Sequence, residues 1–156
     1  MKKFILLSIL SVLILSCKSN SATNTKLDSK SQVAMKGNWT ITSVTYPSSD
    51  VFKVNSFGLA DSKCFVGSTW KFISNNNKGN FELNSPKCTT FSTAITWFIN
   101  KEGEFVLKIL DDDKARKTKT GYVLRVANQT DNSFQLIDKM DVLGKMTDVV
   151  YQFNRN

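Results

Sequence analysis

Eight short runs of β-forming residues constrain the fold of this chain more than any other feature of its sequence. Beyond residue 37 the runs are rich in Val, Ile, Thr, Phe, Tyr and Trp, and clusters of Asn, Asp, Gly and Lys separate them. No segment after residue 16 has the hydrophobic period of a helix. The predicted strands span 38–46, 69–74, 80–84, 94–100, 104–110, 121–127, 133–138 and 147–154. The sequence therefore predicts an all-β domain.

Alternating hydrophobicity within the runs indicates that each strand buries one face. In the fifth run, Phe105, Leu107 and Ile109 share one phase and polar residues occupy part of the other. The first run breaks its alternation near Thr42 and Ser43, which predicts a β-bulge. Several intervening turns are short enough for hairpins, so strands adjacent in sequence are expected to pair. This pattern predicts an eight-stranded antiparallel up-and-down barrel.

The first 16 residues resemble the signal peptide of a bacterial lipoprotein. Two lysines precede an apolar run over 4–15, which as a helix spans about 18 Å and is too short for a bilayer core of roughly 30 Å. Ser16 and Cys17 end the run like a lipobox, although Leu15 is bulkier than the usual residue. The resemblance implies cleavage before Cys17, acylation of Cys17 and anchoring in the bacterial envelope, at the outer membrane. An ordinary signal peptide is the alternative.

The remaining cysteines and the residues after the signal suggest how the mature chain is organised. Residues 17–36 are rich in Ser, Asn, Thr and Lys, and we expect a flexible lipidated tether before a barrel domain at 37–156. With Cys17 assigned to lipid, Cys64 and Cys88 form an even pair in an oxidising compartment. This predicts a disulfide, with two buried thiols as the alternative.

Several function classes are disfavoured by composition. The chain has no His, which excludes Ser-His-Asp and Cys-His catalysis and His-ligated metals. Among the strands, Asp138 is the one acidic residue on the phase of Phe134 and Leu136, so no inward carboxylate pair is predicted. The Asp run at 111–113 lacks the spacing of an EF-hand calcium site. We expect no enzyme, cofactor or metal, and export argues against a nucleic-acid partner despite the net charge of +8.

Short motifs carry a resemblance to the lipocalins. Gly37-Asn38-Trp39 resembles the family's G-x-W, and Thr130-Asp131-Asn132 resembles its Thr-Asp-Tyr segment without the Tyr. Arg155 is placed like the family's Arg that packs over the G-x-W Trp. The resemblance implies that Trp39 and Arg155 close one end of the barrel. The stretches 64–70 and 114–117 are also similar to short lipocalin-like lipoproteins of the Bacteroidetes group.

The resemblance to lipocalins implies that this protein binds or carries a small hydrophobic or amphipathic ligand. The apolar connection 47–68 is expected to fold over the open end. Each inward aromatic residue has core packing as its alternative role. The candidate ligand-binding residues are Phe52, Phe57, Trp70, Phe72, Trp97, Phe105, Tyr122 and Tyr151.

Charge at the long connections suggests one further ligand property. Lys114, Arg116 and Lys117 form a basic rim that would suit an anionic head group, with a solvated charge run as the alternative. The sequence also allows a second function. If side chains fill the barrel, the protein would be an adaptor or inhibitor that binds another envelope protein through its loops.

Overall fold

The computed structural model of the chain describes residues 29–47, 52–110 and 121–156. One helix, α1 (Ser29–Ala34), precedes the strands, and a 3₁₀ helix covers Ser62–Phe65. The strands are β1 (Gly37–Thr45), β2 (Asn55–Ser56), β3 (Ala60–Asp61), β4 (Thr69–Ile73), β5 (Lys78–Leu83), β6 (Phe91–Ile99), β7 (Glu104–Ile109), β8 (Gly121–Ala127), β9 (Ser133–Val142) and β10 (Lys145–Arg155).

Eight of these strands form a closed antiparallel barrel in which each pairs with its neighbour in sequence. Strand β1 closes the barrel by pairing with both β4 and β10, while β2 and β3 form a separate small hairpin. The register between β1 and β10 shifts between Ile41 and Ser43, which confirms the predicted bulge. The predicted all-β up-and-down barrel is confirmed as well.

Large side chains from the inner faces fill the barrel because alternate residues of each strand point inward. On β7, the buried residues Phe105, Leu107 and Ile109 alternate with half-buried ones. The largest fully buried side chains of the described chain include Trp39, Trp97, Tyr151, Phe65, Phe72, Phe81, Phe105, Phe134 and Phe153. The core is therefore mainly aromatic.

Helix α1 packs at the end of the barrel that carries the short turns, which we call the closed end. Gln32 is buried there, and its Nε2 donates to the Ser74 carbonyl (3.1 Å) and to Asn77 Oδ1 (2.6 Å). Met35, just after the helix, is fully buried. The expectation of no helix after residue 16 is therefore wrong, and so is a flexible tether over 29–36. This helix forms because tertiary contacts hold it, and six residues carry too little periodicity to detect.

Arg155 links α1 to the barrel at the closed end. Its guanidinium lies 4.2 Å from the centroid of the Trp39 ring and donates to the carbonyls of Ala34 (2.9 Å), Lys36 (3.0 Å) and Asp131 (2.7 Å). Trp39 Nε1 donates to the Met35 carbonyl at 2.8 Å. The carbonyl groups at the end of the helix are thus satisfied by two side chains of the barrel.

Gly37 makes room for this arrangement. Its φ of 133° lies in a region that L side chains rarely adopt, and a Cβ built there would lie 2.6 Å from Arg155 Nη1. A larger residue would displace the guanidinium from its stacked position.

Strands β9 and β10 form a longer hairpin than the sequence predicts. The predicted long connection over 139–146 is wrong, because β9 continues to Val142 and β10 starts at Lys145. Leu143 and Gly144 have φ values of 55° and 81°, which are the left-handed values of a two-residue hairpin turn. The alternation of β9 continues through Met140 and Val142, but Asp138 interrupts the apolar residues on its inward phase, so the sequence hides the rest of the strand.

No helix within 29–47, 52–110 or 121–156 has the length and apolar character needed to cross a membrane.

We predict that Trp39→Ala lowers the free energy of unfolding by about 3 to 5 kcal/mol, because it removes a fully buried ring. Urea unfolding followed by circular dichroism measures the loss. Trp39→Phe is the graded control, since it keeps a ring and loses the bond to Met35, and it should cost less. An unchanged unfolding midpoint in Trp39→Ala would contradict the role assigned to this side chain.

Candidate functional site

The end of the barrel opposite α1 is covered by residues 52–68, which we call the lid. It consists of the hairpin β2–β3 and the 3₁₀ helix. Val54, Phe57 and Phe65 of the lid are buried with the barrel core. The prediction that this connection folds over the open end, which we call the mouth, is confirmed for its described part.

Buried hydroxyl groups fix the base of the lid to the barrel wall. Ser56 Oγ lies 2.5 Å from the Tyr151 hydroxyl and 2.6 Å from Ser62 Oγ, and Ser62 Oγ donates to the Val54 carbonyl at 2.7 Å. Burial raises the pKa of Tyr151 well above its ordinary value, so this phenol stays protonated at neutral pH. Tyr151 is therefore a neutral hydrogen-bonding group of the barrel wall that holds Ser56 of the lid.

Phe57 inserts its ring from the lid into an aromatic cluster at the mouth. The ring stacks on Tyr151 at 5.4 Å between centroids and meets Tyr122 and Phe65 edge-on at 5.2 Å each. The Tyr122 hydroxyl donates to the Phe57 carbonyl at 2.6 Å. The backbone of Phe57 has a φ of 55°, which is uncommon for a residue with a bulky side chain. The surroundings therefore hold Phe57 in an unfavourable backbone conformation.

A disulfide between Cys64 and Cys88 joins the lid to the connection between β5 and β6, with Cα atoms 5.8 Å apart. The predicted pairing is confirmed. It limits how far the 3₁₀ helix of the lid can move from the barrel rim.

Below the lid, the candidate residues of the barrel interior pack against one another. The rings of Trp97 and Phe105 stack with centroids 5.6 Å apart, and Phe72 lies 5.0 Å from Trp97. Trp70 stacks on Phe81 at 4.3 Å. These four predicted ligand-binding residues, Trp70, Phe72, Trp97 and Phe105, occupy the middle of the barrel as mutual packing partners.

Two cavities flank the lid at the mouth. One, which we call the mouth cavity, has a volume of about 410 Å³ and lies between residues 52–55 of the lid and residues 140–143 of the β9–β10 hairpin. The other, of about 550 Å³, lies beside the disulfide and includes Leu59, Leu83 and Phe91 in its lining. Of the predicted ligand-binding residues, Phe52 lines the mouth cavity.

Asp138 lies on β9, one strand period before Met140, which lines the mouth cavity. It shares the inward phase of β9 with Leu136 below it and with Met140 and Val142, which line the cavity. Burial raises the pKa of Asp138 above its ordinary value. Sequence reasoning identified its phase and did not assign it to a site, because the strand was predicted to end there.

Strands β8 and β9 are not paired at Asp138, so the described part of the barrel wall has a gap there. Pairing between β8 and β9 runs from Ala127↔Gln135 to Arg125↔Ile137, whereas β8 begins at Gly121 and β9 continues to Val142. Among the described residues, the two strands therefore separate toward the mouth.

Cys17 and the basic rim residues Lys114, Arg116 and Lys117 lie outside the described residues, so their assignments stay predictions. Within the described ranges, no group of three or more Cys, Asp or Glu side chains is arranged to hold a metal ion.

Comparisons with known proteins give a family match and several distant structural matches. The family model for a lipocalin-like domain matches residues 35–136. A dog lipocalin allergen shares 17% identity over 78% of this chain and 74% of its own, with a TM-score of 0.45. A bovine odorant-binding protein, solved with a selenium-containing odorant, shares 11% identity over 80% of this chain and 72% of its own, with a TM-score of 0.43. A comparison with curated protein sequences gives no match.

A closed eight-strand barrel with a covered mouth defines a lipocalin-like fold, which is consistent with binding a small hydrophobic ligand. The chain belongs to the family of lipocalin-like domains. Members of this family are typically binding or transport proteins and not enzymes.

We predict that replacing both Cys64 and Cys88 by Ser lowers the free energy of unfolding by about 3 kcal/mol, because the disulfide restricts the unfolded chain. Guanidinium unfolding measures this loss, and reduction of the unchanged protein should reproduce it. Free thiols at both positions in protein taken from its native envelope would argue against the pairing.

Proposed function

We propose that this chain is a lipid-anchored binding protein of the bacterial envelope that carries a small hydrophobic or amphipathic ligand at its mouth. The conformation and the position of Phe57 are the observation that carries the proposal. Its ring occupies an aromatic cluster at the barrel entrance while its backbone is held at a φ of 55°. Strain of this kind is concentrated at functional sites. In the proposed mechanism, the ligand takes the place of the Phe57 ring when the lid moves outward.

Space and attachment at the mouth support this mechanism. The two cavities beside the lid, with volumes of about 410 and 550 Å³, give its tip room to shift. At its tip, the lid is held by the buried ring of Phe57 and by the hydrogen bond from the Tyr122 hydroxyl to the Phe57 carbonyl. Such a hydrogen bond contributes about 0.5 to 1.5 kcal/mol, and a ligand that replaces the ring restores the apolar contact, so displacing the lid tip costs far less than opening the barrel.

Anchoring at Cys17 is compatible with an accessible mouth. Helix α1 packs at the closed end, so the chain enters the folded domain from the side opposite the lid. An anchor upstream of α1 would therefore be joined to the domain at the end opposite the mouth. The lipoprotein assignment itself rests on residues 1–17 of the sequence.

An adaptor or inhibitor is the second candidate function. The mutual packing of Trp70, Phe72, Trp97 and Phe105 favours it, because a filled barrel leaves no space for a ligand at its centre. Leu143 is 79% exposed at the tip of the β9–β10 hairpin, beside the exposed Met146, and could contact a protein partner.

We predict that Phe57→Gly tightens binding of a neutral hydrophobic fluorophore such as N-phenyl-1-naphthylamine by about fivefold to tenfold. The substitution removes the ring that competes for the site and relieves the positive φ. Fluorescence titration of the full chain measures the affinity.

Phe98→Ala is the matched control for this experiment, because it removes a half-buried ring from β6 on the phase opposite the buried residues Ile95, Trp97 and Ile99. Its affinity for the probe should not change. Absence of probe binding in the unchanged protein and in Phe57→Gly, with both folded by circular dichroism, would reject carriage at the mouth and favour the adaptor.

We also predict that Cys17→Ser releases the protein from membranes, because the lipid-bearing thiol is lost. Membrane fractionation with a carbonate wash measures the distribution. Cys64→Ser is the control that should remain membrane-bound. A Cys17→Ser variant that withstands the wash would contradict the lipoprotein assignment.

A further inference from the structure

We infer that the ligand of the mouth cavity carries a cationic head group, of the alkylammonium class, which pairs with the carboxylate of Asp138. This inference rests on the proposed function and adds the charge of the ligand to it. It is opposite in sign to the anionic ligand suggested by the basic rim at 114–117.

The position of Asp138 places a charge where a ligand head group would lie. Its side chain is on the inward phase of β9, one strand period before Met140, and Met140 lines the mouth cavity. Asp138 pairs across the hairpin with Val149 of β10, which is fully buried. Val149 lies one strand period from Tyr151. The carboxylate therefore lies between the apolar core and the cavity.

Asp138 has no cationic partner among the described residues. No hydrogen bond or ion pair reaches its carboxylate there, whereas Asp148 on the same hairpin is paired with Arg125 at 3.3 Å on the outer wall. Burial also raises the pKa of Asp138, which is the direction expected for a charge without a compensating partner. A bound cation would supply the missing charge.

Aromatic groups near Asp138 favour the same type of ligand. Tyr151 interacts electrostatically with both Asp138 and Tyr46, and the Tyr46 hydroxyl donates to the carbonyl of Phe52 at 3.0 Å. Phe52 lines the mouth cavity and is 41% exposed. Aromatic faces attract ammonium groups, whereas they offer nothing to a carboxylate.

The remaining charges of the cavity do not reverse this preference. Of the residues in its lining, Lys53 is an exposed cation, and Asp141 is an exposed anion whose Oδ1 accepts from the Gly144 amide. These two charges cancel, so the described lining is neutral, and Asp138, one strand period from the lining residue Met140, adds a negative charge next to it. The separation of β8 from β9 opens the wall beside Asp138.

Three amphiphiles of equal chain length test the inference: decyltrimethylammonium and decanoate below their critical micelle concentrations, and decanol below its solubility limit. Their affinities are measured at pH 7.5 by displacement of N-phenyl-1-naphthylamine from the full chain carrying Cys17→Ser, so that no attached acyl group competes. We expect decyltrimethylammonium to bind about fivefold to tenfold more tightly than decanoate. In Asp138→Asn this preference should fall below about twofold.

Asp148→Asn is the matched control, because it removes the same charge from the same hairpin on the outer wall, and it should keep the preference. Equal or tighter binding of decanoate, or a preference that survives in Asp138→Asn, would overturn the cationic head group and leave ligand carriage standing. Failure of all three amphiphiles to displace the probe from a folded protein would overturn both. Folding of each variant is checked by its thermal unfolding midpoint.

Discussion

Closure of the eight-strand sheet fixes the width of the barrel, and the rest of the structure depends on how that fixed interior is filled. An eight-strand barrel encloses enough room for packed side chains or for one small ligand. Here stacked rings take the middle of that room, as in the pairs Trp97 with Phe105 and Phe134 with Phe153. The proposed ligand carriage is therefore confined to the mouth, where Phe57 of the lid fills the entrance.

The two ends of the barrel are closed by different kinds of contact. At the closed end, Arg155 stacks on Trp39 and binds three carbonyl groups, and Gln32 fills the space under α1. At the mouth, the buried side chains of Val54, Phe57 and Phe65, a few hydroxyl groups and one disulfide hold the lid. Local opening follows the weakest attachments, so motion is expected at the lid while the closed end stays intact.

Much of the fold follows from periodicity in the sequence. A period of two residues locates every barrel strand, its interruption locates the bulge after Ile41, and cysteine parity gives the disulfide. Periodicity does not predict helix α1, because its six residues span fewer than two turns. Groups distant in sequence, such as Arg155, hold this helix in place. The outer part of the β9–β10 hairpin was not predicted because Asp138 interrupts the apolar phase of β9 and because Lys145 and Met146 at the start of β10 are both exposed.

The candidate site was harder to foresee than the fold for the same reason. Aromatic residues such as Trp97 and Phe105 show their burial in the sequence, but burial does not distinguish core packing from contact with a ligand. Asp138 shows the opposite problem. One acidic residue in a strand carries no signal until the structure places it beside a cavity and an unpaired stretch of wall.

The lid also restricts the chemistry of any ligand that replaces it. When the lid moves outward, the Tyr151 hydroxyl loses Ser56. A buried hydroxyl left without a partner costs about 1 to 3 kcal/mol. A pure hydrocarbon would bear that cost at Tyr151, whereas a ligand with a polar group near one end would not. The hydrogen bonds of the lid therefore argue for an amphipathic ligand independently of the charge on Asp138.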